Sequence, residues 1–465
     1  MLNNQFSMKR VILLFHVSLF TFLLPAQTIT QKLKSAFTSF EKDSQLKHAI
    51  SSLYVIDANT GQVVFDKNSQ IGLAPASTQK IITSITAFEL LGKNYKYKTE
   101  FGVCVDYEKS VCLWIDPSGD PTLGSWRWES TKEKRIIDSI FSRLNSSSKI
   151  EGVVVNGIGW NAEQIPDGWI WQDIGNYYGA GATKFNWREN QYDLIMRSGK
   201  NIGDKVEIVK TEPALYPYNL WSEVTSATKG SGDNSYIYIP STSTNAIVRG
   251  TIPVSEDRFT ISGAILNPSS QFNKIFADSV KNKFKWTLKD PFVIDTSLLR
   301  TPVVFYTYYS PTLDSIIYWF NKKSINLYGE ALIKTFAYEK YKYGSTDSGV
   351  AIVKKFWKEK GMDENELNIV DGSGLSPLDR VTTHAQVEIL KYAKTKDWFP
   401  YFLNALPEYN KMTMKSGTIS GVKSFCGYHK AANGKEYVFS FIVNNYNGSA
   451  SSLVNKMYKV LDVLK

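Results

Sequence analysis

The sequence predicts a mixed α/β protein of the α+β kind, in which a strand-rich insertion interrupts one helix-and-strand domain. Three observations carry this reading. Helix-spaced apolar residues and short β-like runs share the first hundred residues. From 97 to 295 the texture changes to short β-like runs cut by Gly, Pro, Asn and Ser. Helical periodicity then resumes and lasts, with three further strands, to the end. The chain has 465 residues, of which 43% are hydrophobic. That is too apolar for a disordered chain and long enough for two or three domains with ordinary cores. No internal repeat period is present.

The amino terminus comes first. Lys9 and Arg10 precede an apolar run from Val11 to Leu24, followed by Pro25-Ala26. A charged start, a short apolar run and a small residue read as a secretory signal peptide over 1–26. The run is shorter than the roughly 20 residues of a spanning helix. Leu24 stands where a small residue is preferred, so an uncleaved anchor is the alternative. Export places the protein in the periplasm or outside the cell, with membrane contact at most peripheral.

Residues 28–50 carry Leu33, Ala36, Phe37 and Phe40 at helical spacing. Ser52–Asp57 and Gln62–Asp66 flank a turn at Gly61 and predict a hairpin. Pro75-Ala76-Ser77 opens a second helix, with Ile81, Ile82, Ile85, Phe88, Leu90 and Leu91 on its apolar side and Gly92 as its stop. Inside the insertion, Gly152–Asn156, Lys205–Val209 and Tyr236–Pro240 read as strands. Helices follow at Leu313–Phe320, Leu327–Lys340, Gly349–Lys360 and Thr383–Ala393. Strands at Lys411–Gly417, Ser424–His429 and Glu436–Asn444 and a last helix at Ser451–Leu464 close the chain.

Composition excludes several chemistries. The formal charge is +10, but the lysines are scattered and the chain is exported, so a solvated surface explains them better than nucleic-acid binding. Only four histidines occur, at 16, 48, 384 and 429, and none forms a His-Glu-x-x-His helix. The three cysteines lack a Cys-x-x-Cys spacing. No metal and no cofactor are expected. Cys104 and Cys112 lie symmetrically about Glu108, so a tight hairpin sets them opposite each other, as a disulfide or as two buried thiols. Cys426 reads as a small core residue.

Catalysis must therefore rest on other side chains. Ser77-Thr78-Gln79-Lys80 places a hydroxyl and an amine one helical turn apart on one face. A helix start also offers unpaired backbone N–H groups for a developing oxyanion. The arrangement suits a serine nucleophile with lysine as its base. Ser-x-x-Lys occurs six times in the chain, so only position distinguishes Ser77: behind Pro75-Ala76, ahead of an apolar helix and after a hairpin. Ser324-Ile325-Asn326 precedes the helix at Leu327, where both side chains can face one cleft only from a loop or helix start; an ordinary cap is the plain alternative. Lys415-Ser416-Gly417-Thr418 ends a strand. Period two sends Lys415 to one side and the two hydroxyls to the other, with Gly417 permitting close packing, unless this is simply a strand followed by a turn.

In this order Ser-x-x-Lys, Ser-x-Asn and Lys-Ser/Thr-Gly form the signature set of penicillin-recognising serine enzymes. The chain resembles the D-alanyl-D-alanine carboxypeptidase/endopeptidase family, the class C low-molecular-mass penicillin-binding proteins of the penicillin-binding protein 4 type. Leu73–Lys80, Gly119–Leu123, Asp167–Asp173, Asp371–Ser376 and Met414–Thr418 look like that family's blocks. The intervals agree as well: 247 positions separate Ser77 from Ser324 and 91 separate Ser324 from Lys415, and the family carries its insertion in the first interval. Ser416 stands where the family usually has threonine, which keeps the hydroxyl.

The resemblance implies a β-lactamase/transpeptidase-like domain, an antiparallel sheet flanked by helices, built from 27–96 and 296–465 around an insertion over 97–295 that divides further into two subdomains. It implies a peptidoglycan stem peptide as substrate, β-lactams as covalent inhibitors, and an acyl-enzyme on Ser77. Lys80 is then the base, with its pKa lowered by partial burial and by Lys415, and Ser324 the proton relay. Asn326 orients Lys80 or the substrate amide, and Lys415, Ser416 and Thr418 hold the substrate carboxylate. Backbone N–H groups of Ser77 and Thr418 form the oxyanion hole. Asp173 matches a position that contacts a free amino group on the stem peptide, or else caps its own loop. Asp371–Gly374 shapes a turn beside the cleft and receives no catalytic step. A β-lactamase or esterase on the same fold and a non-catalytic wall-binding protein are the rival readings. The first lacks its Glu-x-x-Asn block here, and a pure binder has no need of both Lys80 and Ser324.

Overall fold

The computed structural model describes residues 27–105, 110–144, 149–240, 244–288 and 301–465. The expected signal segment lies outside the described residues. Among those described, no helix is long and apolar enough to cross a membrane.

A six-stranded antiparallel sheet forms the base of the molecule. Its strands run, across the sheet, Glu408–Tyr409, Met412–Ile419, Val422–Lys430, Glu436–Asn444, Ile50–Asp57 and Val63–Lys67. The first strand of the chain thus pairs with the last along its whole length, from Ile50 opposite Asn444 to Asp57 opposite Tyr437. Alternation along these strands supplies apolar residues to both faces. On one face Leu33, Phe37 and Phe40 of the helix Ile29–Glu41 pack with Leu453 and Met457 of the closing helix Ala450–Leu461. On the other face, Ile81, Ile82 and Ile85 pack with Ile316, Tyr328, Leu332 and Ile389 from the remaining helices.

Element boundaries adjust the sequence reading in places. The first helix stops at Glu41, held by a Thr28–Gln31 capping box, because a second turn capped by Asp43 intervenes before the strand at Ile50. The second helix begins as a tight turn over Ala76–Gln79 and becomes regular only over Lys80–Leu90; Leu90, expected inside, is 39% exposed beside the stop at Gly92.

The insertion is less purely β than its texture suggested. It holds a four-stranded sheet and two three-stranded sheets, but also the helices Glu133–Phe141 and Pro268–Phe284. Phe272, Phe276 and Val280 recur every four residues on the longer helix and are buried with Phe101, Leu113 and Trp187. Its surface is rich in Ser, Asn and Lys, which hid that period among turn signals. The two three-stranded sheets share a separate core around Leu194, Val224, Ile237 and Val248. The strand Val303–Tyr309 pairs with Lys98–Val105, so residues beyond 295 join the insertion's sheet. Tyr97 and Ser310 close the neck by two hydrogen bonds, at 2.9 and 3.0 Å. On that pairing we propose that the insertion ends at Ser310 and comprises two subdomains.

Cys104 and Cys112 do face each other across their hairpin. Both side chains are buried, as the thiol alternative has it, with Cys104 Sγ donating toward the Cys112 carbonyl at 3.8 Å. Cys426 is a buried thiol in the sheet.

Candidate active site

Ser77 lies in the tight turn that precedes the helix Lys80–Leu90, and the residue before it, Ala76, has φ 47°. A non-glycine residue in that region costs on the order of 1–3 kcal/mol and persists only where surroundings impose it. They do so here. The Thr78 hydroxyl donates to Pro75 O at 2.7 Å and the Ser424 hydroxyl to the same carbonyl at 2.6 Å. Gln386 Nε2 donates to Thr78 Oγ1 at 3.0 Å, tying the turn to the helix Thr383–Ala393.

Lys80, one turn on, is fully buried. Its Nζ has three oxygen neighbours: Asn326 Oδ1 at 2.6 Å, the Ser373 carbonyl at 2.7 Å and Ser77 Oγ at 2.9 Å. The first two can only accept. A neutral amine has two N–H groups and one lone pair, so these two oxygens consume both donors and leave the lone pair for the Ser77 hydroxyl. Burial lowers the Lys80 pKa to about 7, against the pull of Asp371, Glu330 and Asp379, which raise it. The sequence reading gave partial burial and Lys415 as causes. Burial is in fact complete and dominates, and the mutual repulsion appears on Lys415 instead.

Asn326 is the first residue of the helix Asn326–Tyr341, and Ser324 sits in the loop before it with φ 56°. This loop placement lets a pair two apart turn toward one cleft. The Asn326 amide is oriented from both ends, since its Nδ2 donates to Tyr178 O of the insertion at 2.7 Å. Ser324 Oγ accepts from Lys415 Nζ at 3.0 Å, and Lys415 also donates to Ser416 O at 2.8 Å. Lys415 is 1% exposed; burial first, then Lys80, hold its pKa well below the usual lysine value.

The strand Met412–Ile419 runs beside the Ser77 turn. A Cβ on Gly417 would lie 2.3 Å from Ser424 Oγ, 2.7 Å from Pro75 O and 2.8 Å from Ser77 N, so only glycine permits this approach. Ser416 is half-buried. Thr418 is exposed, and its hydroxyl accepts from Lys423 Nζ at 2.7 Å. The structure therefore groups Ser77 with Lys80 and Asn326, and Ser324 with Lys415. Thr418 is engaged with Lys423, a cation that the motif search missed although it stands opposite Thr418 on the next strand. Burial lowers the Lys423 pKa to about 8.

Asp173 occupies the short helix Trp171–Ile174. Burial raises its pKa to about 6, opposed by a hydrogen bond from Tyr178. Tyr178 thus joins Asp173 through its side chain and Asn326 through its main chain.

The Asp371–Gly374 turn contributes more than shape. Asp371 takes five donors: Gln79 Nε2, Ser373 N and Gly374 N on Oδ1, Ser376 N and Trp169 Nε1 on Oδ2. The turn delivers the Ser373 carbonyl to Lys80, a role a backbone oxygen never announces in a motif. Gly374, at φ 79°, lies so close to Ala76 that a Cβ would meet the Ala76 carbonyl at 2.0 Å.

Known proteins resemble this chain over most of its length. The profile of the D-Ala-D-Ala carboxypeptidase 3 (S13) family matches residues 33–463. A D-alanyl-D-alanine carboxypeptidase of Actinomadura sp. (strain R39) is 24% identical, covering 90% of this chain and 82% of its own. The D-alanyl-D-alanine carboxypeptidase DacB of Haemophilus influenzae is 23% identical, covering 84% of each. The crystal structure of penicillin binding protein 4 from Haemophilus influenzae shares the fold, with a TM-score of 0.75, 18% identity and coverage of 92% of this chain and 98% of that one. The chain belongs to the D-Ala-D-Ala carboxypeptidase 3 (S13) family and is a serine-type D-Ala-D-Ala carboxypeptidase.

Proposed function

We propose that Ser77, Lys80 and Ser324 carry out the reaction outside the cytoplasm on peptidoglycan stem peptides ending in D-Ala-D-Ala. The observation that carries this assignment is the Lys80 environment: Nζ lies 2.9 Å from Ser77 Oγ and at 2.6 and 2.7 Å from two oxygens that can only accept, so that as a free amine it spends both N–H groups on those two and turns its lone pair to Ser77. Lys80 takes the Ser77 proton as Ser77 Oγ attacks the penultimate carbonyl. The peptide C–N bond breaks, and the departing D-alanine nitrogen receives a proton through Ser324, which Lys415 orients. Water then attacks the ester and releases the shortened peptide and Ser77. Backbone N–H groups of Ser77 and Thr418 hold the oxyanion; the contact between Gly417 and Ser77 N supports this by bringing the two backbones together.

On its outer side the strand Met412–Ile419 pairs at Met412 and Thr413, with Met414 N donating to Pro407 O at 2.9 Å, and among the described residues no strand pairs with that edge from Lys415 onward. An extended peptide adds there as a further strand. Its terminal carboxylate meets Lys415 and the hydroxyls of Ser416 and Thr418, with Lys423 adding charge. Asp173 receives a free amino group from the middle of the stem peptide. Endopeptidase action follows where that carboxylate is replaced by a cross-link, and penicillins, which mimic the terminus, acylate the same oxygen.

The decisive experiment is mass spectrometry after incubation with a penicillin, together with D-alanine release from a muropeptide. The wild type gains one adduct, mapped to Ser77, and releases D-alanine; Ser77→Ala does neither. An adduct at another residue, or D-alanine release by the variant, overturns the assignment.

A further inference from the structure

The helix that starts at Asn326 carries a second buried polar residue one turn later. Glu330 is fully buried, and its Oε2 accepts from Gly372 N at 3.0 Å. Its Oε1 has no partner at ordinary hydrogen-bond geometry and no ion pair among the described residues, while the Ser373 side chain, as a hydrogen-bond donor to the carboxyl group, opposes the upward shift of its pKa. Gly372 precedes Ser373, whose carbonyl receives a Lys80 N–H. Thr83, on the Lys80 helix, ties the same turn from the other side, its hydroxyl donating to Gly372 O at 2.7 Å. The fit is close: a Cβ on Gly372 would lie 2.3 Å from Gly329 O.

We propose that Glu330 is a positioning residue for Lys80. Through Gly372 it fixes the Ser373 carbonyl, and by keeping a proton on its own carboxyl group it leaves Lys80 as the free amine. The inference rests on the assignment of Lys80 as the base.

The charges around the pair explain why the proton sits there. Lys80 faces Glu330 from the nucleophile helix, Asp371 and Asp379 face it from the 371–379 loop, and Lys334 stands one turn further along its own helix. Lys415 faces Lys80 from the sheet. Lys334 donates to the carbonyls of Glu163 and Ala182, so it is not committed to Glu330. An ionised Glu330 would be a buried anion beside Asp371. Burial first, then Asp371, raise its pKa to about 8. Ammonium with carboxylate, and amine with carboxylic acid, contain the same number of protons. The site favours the second distribution, and that one contains the working base.

The test is the pH dependence of Ser77 acylation by a penicillin in the wild type, Glu330→Gln and Thr83→Val. Glutamine keeps the shape and the acceptor for Gly372 N but cannot become an anion that recharges Lys80. The acid limb of the Glu330→Gln profile should therefore stay in place, because glutamine reproduces the neutral carboxyl group, whereas removal of a resident carboxylate would move it down by about one pH unit. Thr83→Val loosens the turn without altering charge, so its rate should fall at every pH while the limb stays in place. A limb that moves down in Glu330→Gln, which would reveal a resident carboxylate, overturns the proposal, and so does a shifted limb in Thr83→Val. Wild-type protein labelled with carbon-13 at lysine Cε and glutamate Cδ gives a reading that does not depend on a variant folding. One lysine that is neutral near pH 7.5 should titrate together with one glutamate that is protonated there, and absence of that pair also overturns the proposal. If the wild type gains no adduct on Ser77, the function itself fails; if it does and the Glu330→Gln limb moves down, only this inference fails.

Discussion

Gly417 and Ser77 approach so closely that a Cβ on the first would lie 2.8 Å from the backbone nitrogen of the second. The edge strand and the Ser77 turn are thereby locked together, and in the proposed mechanism the space between them is where the tetrahedral oxygen fits. Gly417→Ala should force them apart. Acylation by penicillin should fall at least about a hundredfold, in line with loss of an oxyanion donor, and the melting temperature should drop. A variant that acylates at the wild-type rate would show that this contact does not shape the site.

Lys80 must be neutral to accept the Ser77 proton. With its pKa lowered to about 7 by burial, the rate constant for acylation should rise with pH through about 7 and level off above it. Lys80→Ala should lose about a hundredfold to ten-thousandfold in acylation at every pH, measured by stopped-flow with a chromogenic β-lactam.

Lys415 poses the opposite problem. Burial and Lys80 disfavour its ammonium form in the free protein, and a bound carboxylate favours it. Binding of a carboxylate-ended peptide should therefore take up a proton, and affinity should weaken as pH rises. Calorimetry in buffers of different ionisation enthalpy measures the uptake directly; a peptide amide should show none.

Asp371 gathers five donors in a buried turn. Asp371→Asn replaces one accepting oxygen with a donor group and leaves buried N–H groups unpaired. It should destabilise the protein by about 2–4 kcal/mol, read by urea denaturation, and slow acylation by displacing the Ser373 carbonyl.

Asp173 should act on binding more than on chemistry. With a pKa of about 6, it is charged above that pH and neutral below it. Asp173→Asn should raise KM about tenfold, or about 1.4 kcal/mol, for peptides with a free side-chain amine, with little change in kcat. For peptides whose amine is acetylated, KM should not change. The wild-type preference for the amine should fade as pH drops below 6.

How much of this was legible in the sequence differs from element to element. The helix Thr383–Ala393 and the strand Glu436–Asn444 match their expected bounds, because strong apolar periods and local caps mark them. The helix Pro268–Phe284 was missed, since its buried stripe is narrow and its other faces resemble turn composition. Leu90 was placed inside the core yet lies at a helix end, where the chain turns away.

What the sequence by itself determined was the alternation of helix and strand and the choice of residues proposed as reacting groups: Ser77, Lys80, Ser324, Asn326 and Lys415. Those are local properties, set by residue type and spacing. Tertiary structure decided which atoms touch and which protons stay. The Ser373 carbonyl reaches Lys80 across 293 positions, the Tyr178 carbonyl reaches Asn326 across 148, and Glu330 holds the Gly372 amide across 42, each through backbone that carries no side-chain signature. Proton affinity follows burial and the sum of surrounding charge, and both exist only once the chain has closed around the site.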